Sequence, residues 1–357
     1  ENYRMENVYL ENNINALTGR NRDSQDSSMH FYNKFDVLVV ARPTKPFTDQ
    51  ELYLLDQYVM YGGRILWLID PIDATMDSLQ DQGQAIAIRY PLNLEEMLFT
   101  YGVRVNPDVV MDVRCRPIPM VVGMVGDKPQ YKFCPWYYFP EIVPLSQHPI
   151  VRNLDLIKTD FVSSIDLIEN NIMKTILLTT SDYCRVKNAP AIIDLSESKM
   201  ELDERQFNRS RLPVAVLLEG NFRSMFRSRL APSFTEIPEM GYRDTADFTR
   251  MIVISDGDMI RNRYNYEDGT GYPLGYDHYT KTMYANKQFL MNCIDYLAGN
   301  EEALATRSRD IRLRKLNAMK VKEQGALYSW LNLLLPVGLV LVGGGIYLII
   351  RRKTLKK

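Results

Sequence analysis

Histidine is scarce in this chain. Three occur in 357 residues, His30, His148 and His278, widely spaced and in polar surroundings. A Ser-His-Asp triad or a histidine-rich metal centre needs imidazole beside a second functional group, so neither is expected. Cysteine is nearly as sparse. Cys115, Cys134, Cys184 and Cys293 form no C-x-x-C pair, which argues against zinc and thioredoxin-type motifs. They read as buried free thiols, with a Cys115–Cys134 disulfide as the alternative outside the cytoplasm. No G-x-S-x-G elbow, H-E-x-x-H pair or P-loop is present. Without a nucleophile and its base, the chain reads as a non-enzyme with no metal and no cofactor.

Net charge is also lacking, with 43 Lys and Arg against 44 Asp and Glu, a formal charge of -1. That value is a cancellation. The last seven residues carry +5 and residues 301–326 carry +3, which leaves about -9 on residues 1–300. So acidic a body lacks the basic face that phosphate neutralisation requires, and nucleic acid is not an expected partner.

What the chain has is apolar material: 46% of its residues are hydrophobic, enough for one large domain or two smaller ones. Residues 327–350 read LYSWLNLLLPVGLVLVGGGIYLII, 24 residues whose only ionisable side chains are tyrosines. As a helix this run is about 36 Å long, enough to cross a hydrocarbon core of about 30 Å. A membrane span is therefore expected, with Tyr328, Trp330 and Tyr347 at the interfaces and Gly343, Gly344 and Gly345 as a face for a neighbouring helix. The basic tail 351–357 is denser in positive charge than the connector 301–326, which places the tail in the cytoplasm and residues 1–300 outside it. The chain has neither an initiator Met nor an export signal, so an upstream segment is expected.

The clearest folding signal lies between residues 35 and 70. FDVLVVA is an apolar run of strand length, and Thr48 and Glu51 form a T-x-x-E capping box ahead of a helix carrying Leu52, Leu55 and Val59 on one face. RILWLID follows as a second strand. Strand, helix, strand with runs apolar throughout predicts an α/β domain with a mostly parallel sheet covered on both faces. Further strands are expected at 161–166, 174–180, 213–219 and 250–255, a helix capped by Asn93, and a closing helix over 286–297 stopped by Gly299. Residues 114–160, rich in proline and aromatics, read as a loop-rich insertion, and 185–212 as a polar loop.

Three loops leave probable strand ends, at 42–47, 70–73 and 256–258. Were those strands parallel, Lys45, Asp70, Asp73, Asp256 and Asp258 would ring one crevice, a candidate site for a cation or polar ligand. The competing reading is that Asp and Gly simply favour turns. Asp256-Gly257-Asp258 also looks like the start of a calcium loop, but the required spacing does not continue. Trp136 and Tyr137, within a run of four aromatics, are the candidate for an exposed surface that stacks on sugars or grips a partner, against the plainer reading of rings folded onto their own domain.

Several long strings together resemble one family. They are DVLVVARPTKPFTDQELYLLDQYVMYGGRILWLIDP from Asp36, MDSLQ from Met76, PWYYFP from Pro135, DFVSSID from Asp160, KTILLTTS from Lys174, PVAVLLEG from Pro213, MIVISDGDMIRN from Met251, PLGYDHYT from Pro273 and the closing SRDIRLRKLN. From about residue 30 to its end the chain resembles GldG, a subunit of a gliding motility-associated ABC transporter. The resemblance implies a non-catalytic protein of the inner membrane whose large domain is periplasmic. It implies a permease subunit and an ATPase subunit as partners, and a fold similar to class I glutamine amidotransferases without their catalytic pair. It supplies no functional residues. Two other functions stay open beside it: a membrane-tethered carbohydrate- or peptide-binding module independent of transport, and a divalent-metal enzyme using Asp70, Asp256 and Asp258.

Overall fold

The structure is a computed structural model that describes residues 3–11, 13–22, 29–199, 203–264 and 269–302, with Leu304, Ser329, 334–336, Gly338 and 343–345. Residues Glu1–Ser308 form one compact unit and Arg309–Lys357 another.

The first unit is built on five strands and two long helices. In chain order these are β1 (Val37–Ala41), α1 (Asp49–Met60), β2 (Arg64–Leu68), β3 (Met173–Thr179), β4 (Pro213–Arg223), β5 (Thr245–Ile254) and α2 (Asn286–Ala298). The central sheet has the order β3-β4-β5-β2-β1. Its strands alternate cleanly. Ile65 and Trp67 of β2 enter a core with Leu55 and Val59 of α1, while Leu66 and Leu68 enter a second core with Phe289, Leu290 and Cys293 of α2. Every second side chain points the same way, so a strand apolar at all positions must be covered on both faces, as this one is.

The sheet is mixed, which corrects the mostly parallel expectation. β1 pairs with β2 and β2 with β5 in parallel, whereas β4 is antiparallel to both β5 and β3. A buried strand has the same apolar run in either direction; its connections set the direction. The β1-α1-β2 unit has a helix long enough to return the chain for a parallel pair. Between β4 and β5 only the one-turn helix Pro232–Thr235 intervenes, and β5 runs antiparallel to β4.

The local signals of α1 hold. The Thr48 side chain accepts from the Glu51 N–H at 3.3 Å, and the Thr48 N–H donates to Glu51 Oε2 at 2.8 Å, so two otherwise orphaned donors are satisfied. Gly299 ends α2 with φ +85°. Asn93 does not cap a helix. The helix Glu95–Tyr101 begins after Leu94 without a side-chain cap, and Asn93, at φ +61°, instead donates to the Phe47 carbonyl at 3.1 Å. The strand expected at 161–166 shrinks to Ile165–Leu167.

The loop-rich expectation for 114–160 is also corrected. Cys115–Val125 and Lys128–Ile142 form a long antiparallel hairpin whose second strand carries Ile157–Lys158 on its other side. Pro135 faces Pro117 and Pro140 follows a register shift, positions where missing N–H donors are tolerated. Likewise the stretch read as a polar loop holds strands Cys184–Asn188 and Ala191–Asp194. All four cysteines are free, Cys115 facing Pro140 and Cys134 facing Ile118 across the hairpin.

In the second unit Ser329, 334–336, Gly338 and 343–345 are helical, and a Cβ placed on Gly343, Gly344 or Gly345 would meet nothing within 4 Å. The rest of the expected span at 327–350, most of the connector 301–326 and the basic tail 351–357 lie outside the described residues. No helix among the described residues is long and apolar enough to cross a membrane.

Candidate functional site

Because β1, β2 and β5 are parallel, the loops leaving them meet at one edge of the sheet, the position where open α/β sheets bind ligands. Arg42 follows β1 directly in a left-handed backbone conformation, φ +48°, with its N–H on the Leu68 carbonyl at 2.8 Å. A non-glycine residue in that region costs energy and signals a position fixed by its surroundings. The guanidinium Nε lies 3.0 Å from Asp70 Oδ2 and 3.3 Å from Asp258 Oδ1, clamping the β2 and β5 loops together. Asp70 Oδ1 accepts from the Gly257 N–H at 2.6 Å. A Cβ on Gly257 would stand 2.8 Å from Asp70 Oδ2 and 3.0 Å from the Arg42 stem, so glycine permits this approach.

The cluster continues inward. Asp256, with none of its surface exposed, accepts from the Asp160 N–H at 3.0 Å through Oδ2, while its Oδ1 has no hydrogen-bond partner among the described residues. Asp160 is paired with Arg116 and, at 3.0 Å, with Arg263. The buried Arg116 also donates to Asp277 at 2.8 Å and to the Thr159 carbonyl at 3.0 Å, with its guanidinium 4.6 Å from the Phe139 ring centre. Five acids and several cations therefore alternate from the rim to the interior.

Burial and neighbours divide these acids into two kinds. Burial, followed by the Asp258 charge, pushes Asp70 up to about 6. Burial also drives Asp256 well above the carboxylate range, reinforced by Asp70, Asp160 and Asp258, which favours its protonated form. Burial would raise Asp160 too, but Arg116, Lys158 and Arg263 together hold it down to about 2. Lys158 and His278 are both lowered, chiefly by burial.

A cavity of about 450 Å³ opens on this cluster, with Lys158, Asp160, Asp258, Arg261, Arg263 and His278 in its polar wall. Phe161, Tyr272 and Tyr279 give it an aromatic side. A second cavity, about 490 Å³ and mostly apolar, lies between Ile69, Leu92, Leu98, Phe99 and Val105. Its charged rim is self-paired, Arg89 with Glu95 and Arg104 with Asp166, which leaves little to orient a polar ligand.

Of the residues picked out in the sequence, the fold gathers Asp70, Asp256 and Asp258. Lys45 is exposed and takes no part in the cluster; Arg42, three residues earlier, supplies the cation. Asp73 is exposed and interacts with Tyr90, whose pKa is pushed up to about 12 by burial first and by Asp73 next. Among the described residues no three His, Cys, Asp or Glu side chains form a group suited to a metal ion. The aromatic-surface expectation for Trp136 and Tyr137 is corrected. Trp136 is 0% and Tyr137 8% exposed, packed in a third core with Tyr138, Phe139 and Phe161, because both faces of the strand are covered along this run. Sequence reasoning missed Arg116, Asp160, Asp277, Lys158 and Arg263. Asp160 already stood within the DFVSSID string, whereas Arg116 has no local signal, since Asp277 lies 161 residues away.

The model of a family described as an ABC-type uncharacterized transport system matches residues 1–293. A solved structure described as the mmIFT52 N-terminal domain is similar over 78% of this chain and 79% of its own, at 15% identity and a TM-score of 0.37, too distant to carry fold or function across. No curated protein matches the chain.

Proposed function

The chain belongs to the family described as an ABC-type uncharacterized transport system, and on that premise we propose that it is a non-catalytic accessory subunit of an ABC transporter associated with gliding motility, of the GldG type. Its α/β unit lies in the periplasm and recognises a ligand or envelope partner at the Arg42–Asp70–Asp258 edge. Its apolar segment 327–350 anchors it in the inner membrane beside a permease and an ATPase subunit. The family match across residues 1–293 carries this reading. The 24-residue apolar run and the basic tail support the anchoring, and the resemblance of the long strings to GldG supports the assignment to gliding motility.

The alternative of a tethered sugar-binding module loses its platform, since Trp136 and Tyr137 are core residues. A cluster in which Arg42 and Arg263 neutralise the carboxylates is likewise a poor cradle for a divalent ion, which needs several free oxygen ligands. The test is purification of the full-length chain from membranes followed by mass spectrometry. A permease and an ATPase are expected to accompany it in fixed proportion. Recovery as a lone monomer, or with its first 300 residues accessible only from the cytoplasmic side, would refute the proposal.

A further inference from the structure

We propose that the apolar cavity between the end of β2 and the helix Glu95–Tyr101 binds an uncharged apolar molecule, a ring or short hydrocarbon without a charged headgroup. This rests on reading the carboxyl edge of the central sheet as the recognition surface, and it names the ligand class.

The chain builds this space with fixed walls. Ile69 and Pro71, the neighbours of Asp70, line it where the chain leaves β2. Leu92 and Leu94 line it from the turn at Asn93, whose φ of +61° lets both leucines be buried. That turn is pinned twice, since the Phe47 N–H donates to the Leu92 carbonyl at 3.0 Å and the Asn93 side chain donates to the Phe47 carbonyl at 3.1 Å. Leu98 of the helix and Val105 beyond it complete the lining, and Val105 is held in register opposite Ile165. A cavity formed in advance spares a ligand the cost of ordering its site.

The walls decide the ligand's charge. Four ionised side chains stand at the rim, and each has an opposite partner: Arg89 with Glu95, Arg104 with Asp166, and Glu96 with Arg229, which donates to Glu96 Oε2 at 2.8 Å. Three cations and three anions leave the rim with no net charge. The helix Glu95–Tyr101 begins without a side-chain cap, but its first turn carries Glu95 and Glu96, which repel an anion from the free N–H groups there. Among the described residues, none of the buried side-chain nitrogens or oxygens lacking a partner belongs to this wall. An ion entering the cavity would leave water and meet no compensating charge. An apolar molecule instead removes water from the leucines and from the Phe99 ring, 52% exposed, which is the favourable exchange. A volume of about 490 Å³ fits a small molecule.

The test is photolabelling of the full-length chain in detergent with benzophenone, with its anionic relative benzoylbenzoate and with a benzoylbenzyl-trimethylammonium cation, followed by mass spectrometry of the labelled peptides. Because the labelled stretch is identified directly, probe dissolved in micelles does not enter the readout. Benzophenone is expected to label residues 89–107 saturably, and each ion to label them at least about tenfold less at equal concentration. Phe99→Ala, which takes an exposed ring from the wall, should raise the concentration for half-saturation by about fivefold or more. Phe99 is exposed, so its variant retains the fold, and the melting temperature is measured alongside. Labelling of this stretch by either ion as strongly as by benzophenone would overturn the proposal, as would half-saturation unchanged in Phe99→Ala, or no saturable labelling there up to about 0.5 mM. Co-purification with the permease and ATPase separates the two proposals. A wild-type chain that keeps its partners but shows no saturable labelling overturns only this one, and saturable labelling of a chain without partners supports it while refuting the transporter reading.

Discussion

The buried Arg116 offers the sharpest energetic test. Its side chain is 2% exposed, it is the only cation paired with Asp277 among the described residues, and it shares Asp160 with Arg263. In Arg116→Met the apolar stem against Phe139 is largely kept, but Asp277 retains only the Thr280 N–H, at 3.0 Å, and the Thr280 hydroxyl, at 2.6 Å. Removing one partner of a buried pair costs about 3–5 kcal/mol, because the charge left behind is neither solvated nor neutralised. Asp160 accounts for part of it: a carboxyl held at about 2 rather than 3.8 contributes roughly 2 kcal/mol at neutral pH. A depressed carboxyl stabilises the fold above its ordinary value and loses that contribution as pH falls through its folded value. The deficit of the variant should therefore be largest at pH 7 and narrow as pH falls through 3.8 toward 2. Denaturant unfolding followed by tryptophan fluorescence suits the measurement, since Trp67 and Trp136 are both fully buried. Adding Asp277→Asn should recover part of the loss, the signature of direct coupling. A deficit at pH 7 below about 1 kcal/mol, the range of a surface pair, would refute a buried ion-pair network at this position.

Four further outcomes are expected. Trp136→Ala should lower unfolding stability by about 3–5 kcal/mol, as for any large core ring; a change within about 0.5 kcal/mol would mean that the ring is on the surface after all. Gly257→Ala should destabilise by about 1–3 kcal/mol in the same assay, because its Cβ presses on the Arg42–Asp70 pair, and an unchanged melting temperature would contradict that close approach. Asp256→Asn should be at least as stable as the wild type at pH 7, since burial raises the folded carboxyl above its ordinary value and the amide escapes that cost; a clearly less stable variant would contradict it. The wild type, whose Asp70 and Asp256 are raised, should lose stability as pH climbs from about 3.8 through about 6, and the Asn variant should lose less over that window in thermal melts. Thr48→Ala should cost about 1 kcal/mol by removing the side-chain half of the capping box, with a null result placing the start of α1 elsewhere.

The carboxylate edge shows how far a sequence can be read and where reading stops. Asp70, Asp256 and Asp258 were recognisable because each follows an apolar run, and parallel strands bring such positions to one edge. Arg42 and Lys45 stood in the same loop with nothing local to choose between them. A contact 28 residues away, with Asp70, selects Arg42 and leaves Lys45 in solvent. Arg116, with a partner 161 residues distant, was invisible for the same reason in stronger form.

The amino-acid order alone determined the capping box of α1, the stop at Gly299, the doubly covered strands, the 24-residue apolar run and the kinship with an ABC transport system, because these depend on neighbours within a few residues or on strings of them. Only the tertiary structure decided that β4 runs against its neighbours, that the proline-rich stretch is a hairpin, that Trp136 faces inward, and which cations neutralise which acids. Strand direction, facing and charge pairing are set by contacts between segments far apart in the chain, and a periodic pattern of apolar residues is the same whichever of those contacts forms.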